Sequence, residues 1–157
     1  MSLSLRASRL GLTVFRRLPM RLRRALVSLW APSYTLGAIC VVTHGGELLL
    51  VRHTYRRNWG AAGGLLDRGE LPEHAAIREV REEVGLDVRL DGVAVPVAWP
   101  RYRRLDLVYR CHLDEGADPT TARPMSPEIA ETRWFGLDSL PTLQPDTAEA
   151  LRVLGLG

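Results

Sequence analysis

Hydrophobic residues are arranged along this chain in runs that predict a sheet accompanied by a few helices. Short runs rich in Val, Ile, Leu and Cys are typical of strands that are buried in a sheet. Such runs cover residues 35–43, 47–51, 88–97, 105–112 and 132–135. The sequence His44-Gly45-Gly46 between the first two runs indicates a hairpin turn. Residues 114–127 are rich in Pro, Asp and Thr, which predicts a long loop.

Three other segments have apolar residues at the three-to-four spacing that predicts an amphipathic helix. In residues 19–30, one face carries Leu22, Ala25, Leu26 and Leu29, whereas Arg21, Arg24 and Ser28 face elsewhere. A second helix begins at Pro72, which suits a first turn because it lacks an N–H, and ends at Gly85. A third covers residues 146–154, after a short turn at 138–140. The pattern as a whole predicts an α/β or α+β sandwich around a mixed sheet.

The composition is that of an ordinary globular domain, with 157 residues, 46% hydrophobic and 25% charged. No apolar run approaches the ~18 residues that a transmembrane helix needs, so we expect a cytoplasmic protein without a membrane span. A homodimer is kept as an alternative to a monomer. Cys40 and Cys111 lie in apolar stretches and match no metal-binding or redox spacing. We interpret them as buried reduced thiols.

The charge is distributed unevenly. Residues 1–46 contain seven arginines and no acidic residue, whereas the remainder has 14 arginines against 18 acids. We therefore divide the chain into a basic amphipathic extension, residues 1–32, and a domain, residues 33–157. Three hypotheses fit the extension: a helix packed on the domain or on a second copy, an arm that contacts an anionic membrane or nucleic acid, and a transit peptide.

The predicted helix at 72–84 carries an unusual concentration of carboxylates. At about 100° per residue, one side is apolar and should meet the core, through Ala76, Ile77, Val80 and Val84. Glu79, Glu82 and Glu83 share another side, where like charges repel each other. Arg78 and Arg81 are predicted to point away from these glutamates, towards solvent or a loop.

A bound cation would compensate this repulsion. Only oxygen ligands are offered, which favours a hard cation, Mg²⁺ or Mn²⁺, over zinc. Because Mg²⁺ keeps open positions for substrate phosphate, the expected partner is a phosphorylated molecule. Gly63, Gly64 and Gly69 let the preceding loop approach a ligand closely. Glu70 is placed to reach Arg78 and hold that loop on the helix.

The full spacing of this segment is Gly64, five residues, Glu70, seven residues and then REVREEVGL from Arg78 to Leu86. It resembles the Nudix box, the signature of the Nudix hydrolases, at every fixed position. Residues 59–64, WGAAGG, resemble the usual approach to that box, with alanines where leucine and proline are common. Including the flanking ELLLVRH and EIAETRWFGLDSLP, the resemblance covers about residues 35–142.

This resemblance implies a Nudix-type α/β/α sandwich that hydrolyses a phosphoanhydride of a nucleoside diphosphate derivative. It makes Glu79, Glu82, Glu83 and the Gly63 carbonyl the ligands of Mg²⁺ or Mn²⁺. Water would be the nucleophile. Glu82 is the first choice for the general base and Glu128 the alternative; Arg78 and Glu79 complete the predicted catalytic set.

Substrate contacts are less well defined by the sequence. We predict substrate binding by Gly64, Arg52, Trp59 and Tyr102. The wider candidates for stacking on a base are Tyr34, Tyr55, Trp59, Trp99 and Tyr102. The wider candidates for holding phosphates are Arg52, Arg56, Arg57, Arg101 and Arg103, while His53 is interpreted as structural.

Two other functions compete with hydrolysis. One is a Nudix-fold module that binds or senses a nucleotide without cleaving it, but such modules usually have a degraded box and this one is intact. The other is an isomerase acting on a prenyl diphosphate, which would need a catalytic cysteine near the site. Turnover of nucleotide derivatives with Mg²⁺ separates these hypotheses from the hydrolase.

Overall fold

The computed structural model describes residues 15–31 and 33–157, in two compact units divided after Tyr34. The first unit contains helix α1, Met20–Trp30. The second contains two helices, α2 at Pro72–Val84 and α3 at Pro145–Val153. Its strands are β1 (Thr35–His44), β2 (Glu47–His53), β3 (Ala62–Leu65), β4 (Val88–Trp99), β5 (Arg104–Leu113) and β6 (Ile129–Gly136).

The strands form one mixed sheet in the order β4-β5-β1-β2-β6, with β3 also paired to β1. β1 and β5 run parallel, and the other pairs are antiparallel. β5 pairs along nearly the whole of β1, so β2 and β3 share its other edge, with β3 opposite residues 37–40. The predicted mixed sheet is confirmed. Strand β1 lies at its centre and pairs with β3 as well as with β5 and β2.

Each face of the sheet is covered by a helix, as an α/β/α sandwich requires. Alternate residues of β1 and β2 point to opposite faces, because side chains along a strand alternate. On one face Cys40 and Val51 pack in a cluster with Val80 of α2. On the other face Val41 and Leu48 pack with residues of α3. The predicted fold class is therefore confirmed.

Local signals explain where these elements begin and end. Gly45 and Gly46 both have positive φ, 57° and 84°, which suits the two-residue hairpin turn between β1 and β2. α2 has Pro72 in its first turn and ends at Gly85, whose φ of 73° is left-handed. The hairpin turn at Gly45-Gly46, the start of α2 at Pro72 and its end at Gly85 all match the sequence prediction.

The two cysteines, 71 residues apart in the chain, are neighbours in space. Cys40 on β1 and Cys111 on β5 are free thiols, both fully buried, with their Sγ atoms 2.9 Å apart. The hydrogen bond between them, together with burial, raises the pKa of Cys40. The interpretation as buried reduced thiols is confirmed, and their proximity follows from the pairing of β1 with β5.

Candidate active site

A cavity of about 600 Å³ opens in the 35–157 unit, between α2, the start of α3 and the strands β1 and β3. Its wall brings together residues that are far apart in the chain. We call Gly63, Gly64, Leu65, Glu79, Glu82 and Glu83 the first wall, and Arg56, Arg104, Gln144, Asp146 and Thr147 the second wall. Ala38, Ile39, His53, Tyr55, Ala61, Ser126 and Glu128 complete the lining.

Strand β3 fits against α2 because it is made of small residues. A Cβ at Gly64 would lie 2.6 Å from the carboxyl carbon of Glu79, so only glycine leaves room for that carboxylate. A Cβ at Gly63 would lie 3.0 Å from Cα of Ile39 in β1. The two glycines thus allow β3 to lie between β1 and the carboxylate face of α2.

Two of the three clustered glutamates are largely buried. The Glu83 carboxylate accepts a hydrogen bond from the Gly63 N–H at 3.2 Å and lies 3.6 Å from Nε2 of His53. Burial raises the pKa of Glu79, against the opposing effect of Arg78. Glu82 is different, since its side chain is 58% exposed.

Arg78 connects the loop to the carboxylates, which corrects the sequence prediction that it points away from the glutamates. It donates a paired hydrogen bond to Glu70 at 2.8 and 2.9 Å, as predicted. Its third nitrogen, Nη1, donates to Glu79 at 2.8 Å and to Glu82 at 3.0 Å. The Arg78 guanidinium lowers the pKa of Glu70 to about 2. Arg81 does point to solvent, where it pairs with Asp87.

Two of the carboxylates that could hold a metal ion, those of Glu79 and Glu82, are oriented towards Arg78. Among residues 15–31 and 33–157, no three His, Cys, Asp or Glu side chains are arranged as a metal-binding group. The donor set nevertheless suits a hard cation, because Glu79, Glu82, Glu83 and Gly63 line the same cavity and offer only oxygen ligands.

A loop carboxylate also lines the cavity. Glu128, immediately before β6, lines the cavity and accepts a hydrogen bond from the hydroxyl of Tyr55 at 3.3 Å. Burial and the neighbouring Glu128 raise the pKa of Tyr55. The backbone N–H of Thr54 donates to the Glu128 carbonyl at 2.8 Å, which holds the two segments together. Glu128 is therefore near the cavity, as the sequence predicted.

The second wall was largely missed by sequence reasoning. Arg104 donates to the fully buried Asp106 at 2.6 Å and to Asp146 at 3.4 Å. Arg56, one of the wider phosphate candidates, donates to Gln144. These residues come from β5, from the loop after β2 and from the start of α3. No spacing in the sequence connects them, although an acid in the first turn of α3 was visible as Asp146.

Three of the predicted substrate-binding residues lie outside the cavity lining, and the structure does not bring them to the carboxylates. Arg52 pairs with Glu131 at 2.7 Å. Trp59 is partly buried and packs edge-on against Phe135, next to the core. Tyr102 lies in a turn after β4 and is 70% exposed. The fourth, Gly64, lines the cavity.

Comparison with known proteins agrees with this arrangement. The family profile described as the NUDIX domain matches residues 33–154, which includes both walls of the cavity. The chain belongs to the Nudix family. Its relatives include an NAD-capped RNA hydrolase, NudC, from Stutzerimonas stutzeri, with 33% identity over 71% of this chain and 40% of the relative. The chain spans less than half the length of the curated relatives it matches.

Solved Nudix structures have the same fold. An ADP-ribose pyrophosphatase from Streptococcus suis has 26% identity and a TM-score of 0.65, over 80% of this chain and 89% of that one. A MutT NUDIX hydrolase from Burkholderia pseudomallei has 27% identity and a TM-score of 0.62, over 76% of this chain and 97% of that one. The Nudix box of the present chain thus lies in a Nudix fold.

Proposed function

We propose that this chain is a Mg²⁺- or Mn²⁺-dependent pyrophosphohydrolase that splits a phosphoanhydride bond in a nucleoside diphosphate joined to a second group. The observation that carries the proposal is that Glu79, Glu82 and Glu83 line one cavity with the glycines of β3. The names of relatives support the same class, because NAD-capped RNA and ADP-ribose each contain a diphosphate that joins two groups.

The three glutamates, with the Gly63 carbonyl, are the proposed ligands of the cation. When bound there, a divalent cation would offset the charge of the leaving phosphate and polarise the phosphorus. The chain itself supplies the alignment. Arg78 holds Glu70 and its loop against α2, and the Gly63 N–H holds Glu83.

Glu82 is the proposed general base. Its side chain is far more exposed than those of Glu79 and Glu83, so water reaches it most easily. It would accept a proton from the attacking water as the new O–P bond forms. The bridging P–O bond then breaks, and the leaving phosphate keeps the electron pair. Glu128 is the alternative base, since it lines the same cavity.

The wall that carries Arg56, Arg104 and Asp146 is proposed to contact the part of the substrate that is not attacked. It combines two guanidinium groups with a carboxylate, so it offers both hydrogen-bond donors and acceptors. Such a wall suits a polar group such as a base or a sugar, while the glutamates hold the cation that binds the reacting diphosphate.

The experiment is a screen of nucleotide derivatives with Mg²⁺, with products separated by chromatography. The panel contains ADP-ribose, NAD, a dinucleoside polyphosphate and nucleoside triphosphates. We expect a nucleoside monophosphate and a phosphorylated second product from at least one of them. Release of a product without a new phosphate end, or no turnover of any compound, would contradict the proposal.

Variants then test the roles of the carboxylates. Glu82→Gln and Glu83→Gln should each lower turnover by at least ~100-fold without loss of folding. Glu115→Gln is the matched control, because Glu115 is exposed in a loop and is not among the cavity-lining residues. A large loss in Glu128→Gln, together with mild effects in Glu82→Gln, would transfer the role of base to Glu128.

A further inference from the structure

Helix α1 has an exposed apolar surface that nothing in the proposed hydrolysis uses. Four large apolar side chains of this helix are exposed: Met20 at 62%, Leu22 at 53%, Leu26 at 38% and Val27 at 53%. In a helix that packs into a core, such residues are normally shielded from water. Their exposure over only two turns of helix marks this surface as one that binds something apolar.

The same segment is strongly cationic. Residues 1–46 contain seven arginines and no acidic residue. Within α1, Arg21 and Arg24 are exposed, whereas Arg23 donates to the carbonyl oxygens of Leu18 and Arg16 at 2.9 and 2.7 Å. A partner that covers α1 must therefore accept apolar side chains and carry negative charge next to them.

We propose that α1 is a membrane-surface anchor that binds an anionic phospholipid bilayer, with its apolar side chains inserted between the lipids and its arginines at the headgroups. An amphipathic helix with basic residues lies in the plane of the interface, because acyl chains and anionic headgroups meet there. No helix among the described residues is long and apolar enough to cross a bilayer.

The observations favour lipid over two other occupants. Nucleic acid would neutralise the arginines, but phosphates offer nothing to Leu22 and Val27, which would stay in water. Contact between the arms of two copies would bring two acid-free segments together, and their like charges would repel each other. A bilayer with anionic headgroups satisfies both the charge and the apolar surface.

The test is sedimentation of the full chain with vesicles, one set of pure phosphatidylcholine and one containing a third phosphatidylglycerol. Wild-type protein should bind the anionic vesicles and leave the neutral ones largely free. Arg21→Glu/Arg24→Glu should weaken that binding by more than about tenfold, since each basic residue adds to attraction at the headgroups. Leu22→Ser/Leu26→Ser should weaken it to a similar degree.

The matched control is Arg68→Glu/Arg123→Glu, which makes the same change of charge at two exposed arginines of the 35–157 unit. It should bind vesicles like the wild type. Circular dichroism and thermal unfolding check that every variant is folded. Equal binding by the serine variant and the wild type would overturn insertion, and loss of binding in the control would overturn the assignment to α1.

Competition and self-association exclude the other occupants. A single-stranded RNA oligonucleotide should not displace the protein from vesicles at equal phosphate concentration. Displacement would overturn the proposal in favour of nucleic acid. Sedimentation velocity of the wild type without lipid should give the same species as the serine variant. A dimer lost on Leu22→Ser/Leu26→Ser would overturn it in favour of a second copy.

Discussion

Two adjacent glycines in β3 have different reasons to lack a side chain, and substitution should separate their roles. A Cβ at Gly64 meets the flexible end of Glu79, whereas a Cβ at Gly63 meets the backbone of β1 at Ile39. Gly64→Ala should fold but displace the carboxylate, lowering turnover by about 10- to 100-fold. Gly63→Ala should cost about 2 kcal/mol of unfolding free energy, because a strand backbone cannot move aside.

Turnover of a nucleotide substrate and urea unfolding of both variants measure this difference. Gly64→Ala is the control for Gly63→Ala, because the two differ by one position in the same strand. Full activity in Gly64→Ala would mean that the place of Glu79 against β3 is irrelevant to catalysis. A stable Gly63→Ala would mean that β3 does not lie so close to β1.

The Glu70–Arg78 pair makes a contribution to stability that depends on pH. Hydrogen bonds from Arg78 lower the pKa of Glu70 from 4.5 to about 2 in the folded chain. A lowered pKa means that the native state binds the proton less readily than the unfolded state. The stabilisation is therefore complete above about pH 4.5 and is lost as the pH falls towards 2.

Glu70→Gln should remove this dependence. The difference in unfolding free energy between wild type and Glu70→Gln should be greatest at neutral pH and should shrink between pH 4.5 and 2. Urea unfolding at several pH values measures it. Glu115→Gln, a change at an exposed loop carboxylate, is the control and should change the free energy of unfolding only slightly. A pH-independent deficit in Glu70→Gln would mean that the ion pair is not formed.

At the scale of elements, a buried carboxylate joins β4 to β5 behind the cavity wall. Asp106 is fully buried, and it accepts hydrogen bonds from Nε1 of Trp99 at 2.9 Å and from Arg104 at 2.6 Å. Burial lowers the pKa of the Arg104 guanidinium, but the contacts with Asp106 and Asp146 together outweigh burial and raise that pKa. Removing the carboxylate would leave both donors without their partner.

Asp106→Ala should therefore lower the free energy of unfolding by about 2–3 kcal/mol. The expected loss is smaller than for breaking a fully buried ion pair, because the Arg104 side chain is 31% exposed. Asp106→Asn should cost less, because its amide oxygen still accepts a hydrogen bond from Trp99. Urea unfolding at neutral pH compares them. Equal stability of the alanine and asparagine variants would show that the bond to Trp99 contributes nothing.

The sequence predicted elements well where the signal is local. The spacing of apolar residues predicted α2 and five of the strands, and Pro72 and Gly85 marked the ends of that helix. Strand β3 was not predicted, because AGGL lacks the β-branched residues that indicate a strand. It is recognised as a strand by its pairing with β1. Its assignment depends on β1 and therefore on the tertiary fold.

The site was predictable on one wall and not on the other. The helix fixes the Cβ atoms of Glu79 and Glu83 on one face of α2. The long side chain of Arg78, however, lets its guanidinium bend back and donate hydrogen bonds to the glutamates. Helix geometry gives the direction of a Cβ atom, not the position of a flexible head group. Arg104 and Asp146 are 42 residues apart and meet only when β5 and α3 pack. Contacts of that kind leave no pattern in one sequence.

At the scale of the whole molecule, the chain divides into a cationic arm and a domain that carries the entire cavity. Among residues 15–31 and 33–157, those that line the cavity all lie between Ala38 and Thr147, within the 35–157 unit. Residues 38–147 also include all the proposed ligands of the cation. The part of the arm that the structure describes, residues 15–31, is not among the lining residues.

Removal of residues 1–18 should accordingly leave hydrolysis of a small nucleotide within about twofold of the full chain, because truncation matters only where the lost backbone is part of the site. The measurement is kcat/KM with Mg²⁺ at a low and a high salt concentration. High salt screens charge, so the comparison shows whether any effect of the truncation comes from the lost charges of Arg6, Arg9, Arg16 and Arg17. Thermal unfolding of both proteins is the control for folding. A fall of more than tenfold with unchanged thermal stability would mean that the arm helps to shape the cavity, and the division of labour proposed for the two units would fail.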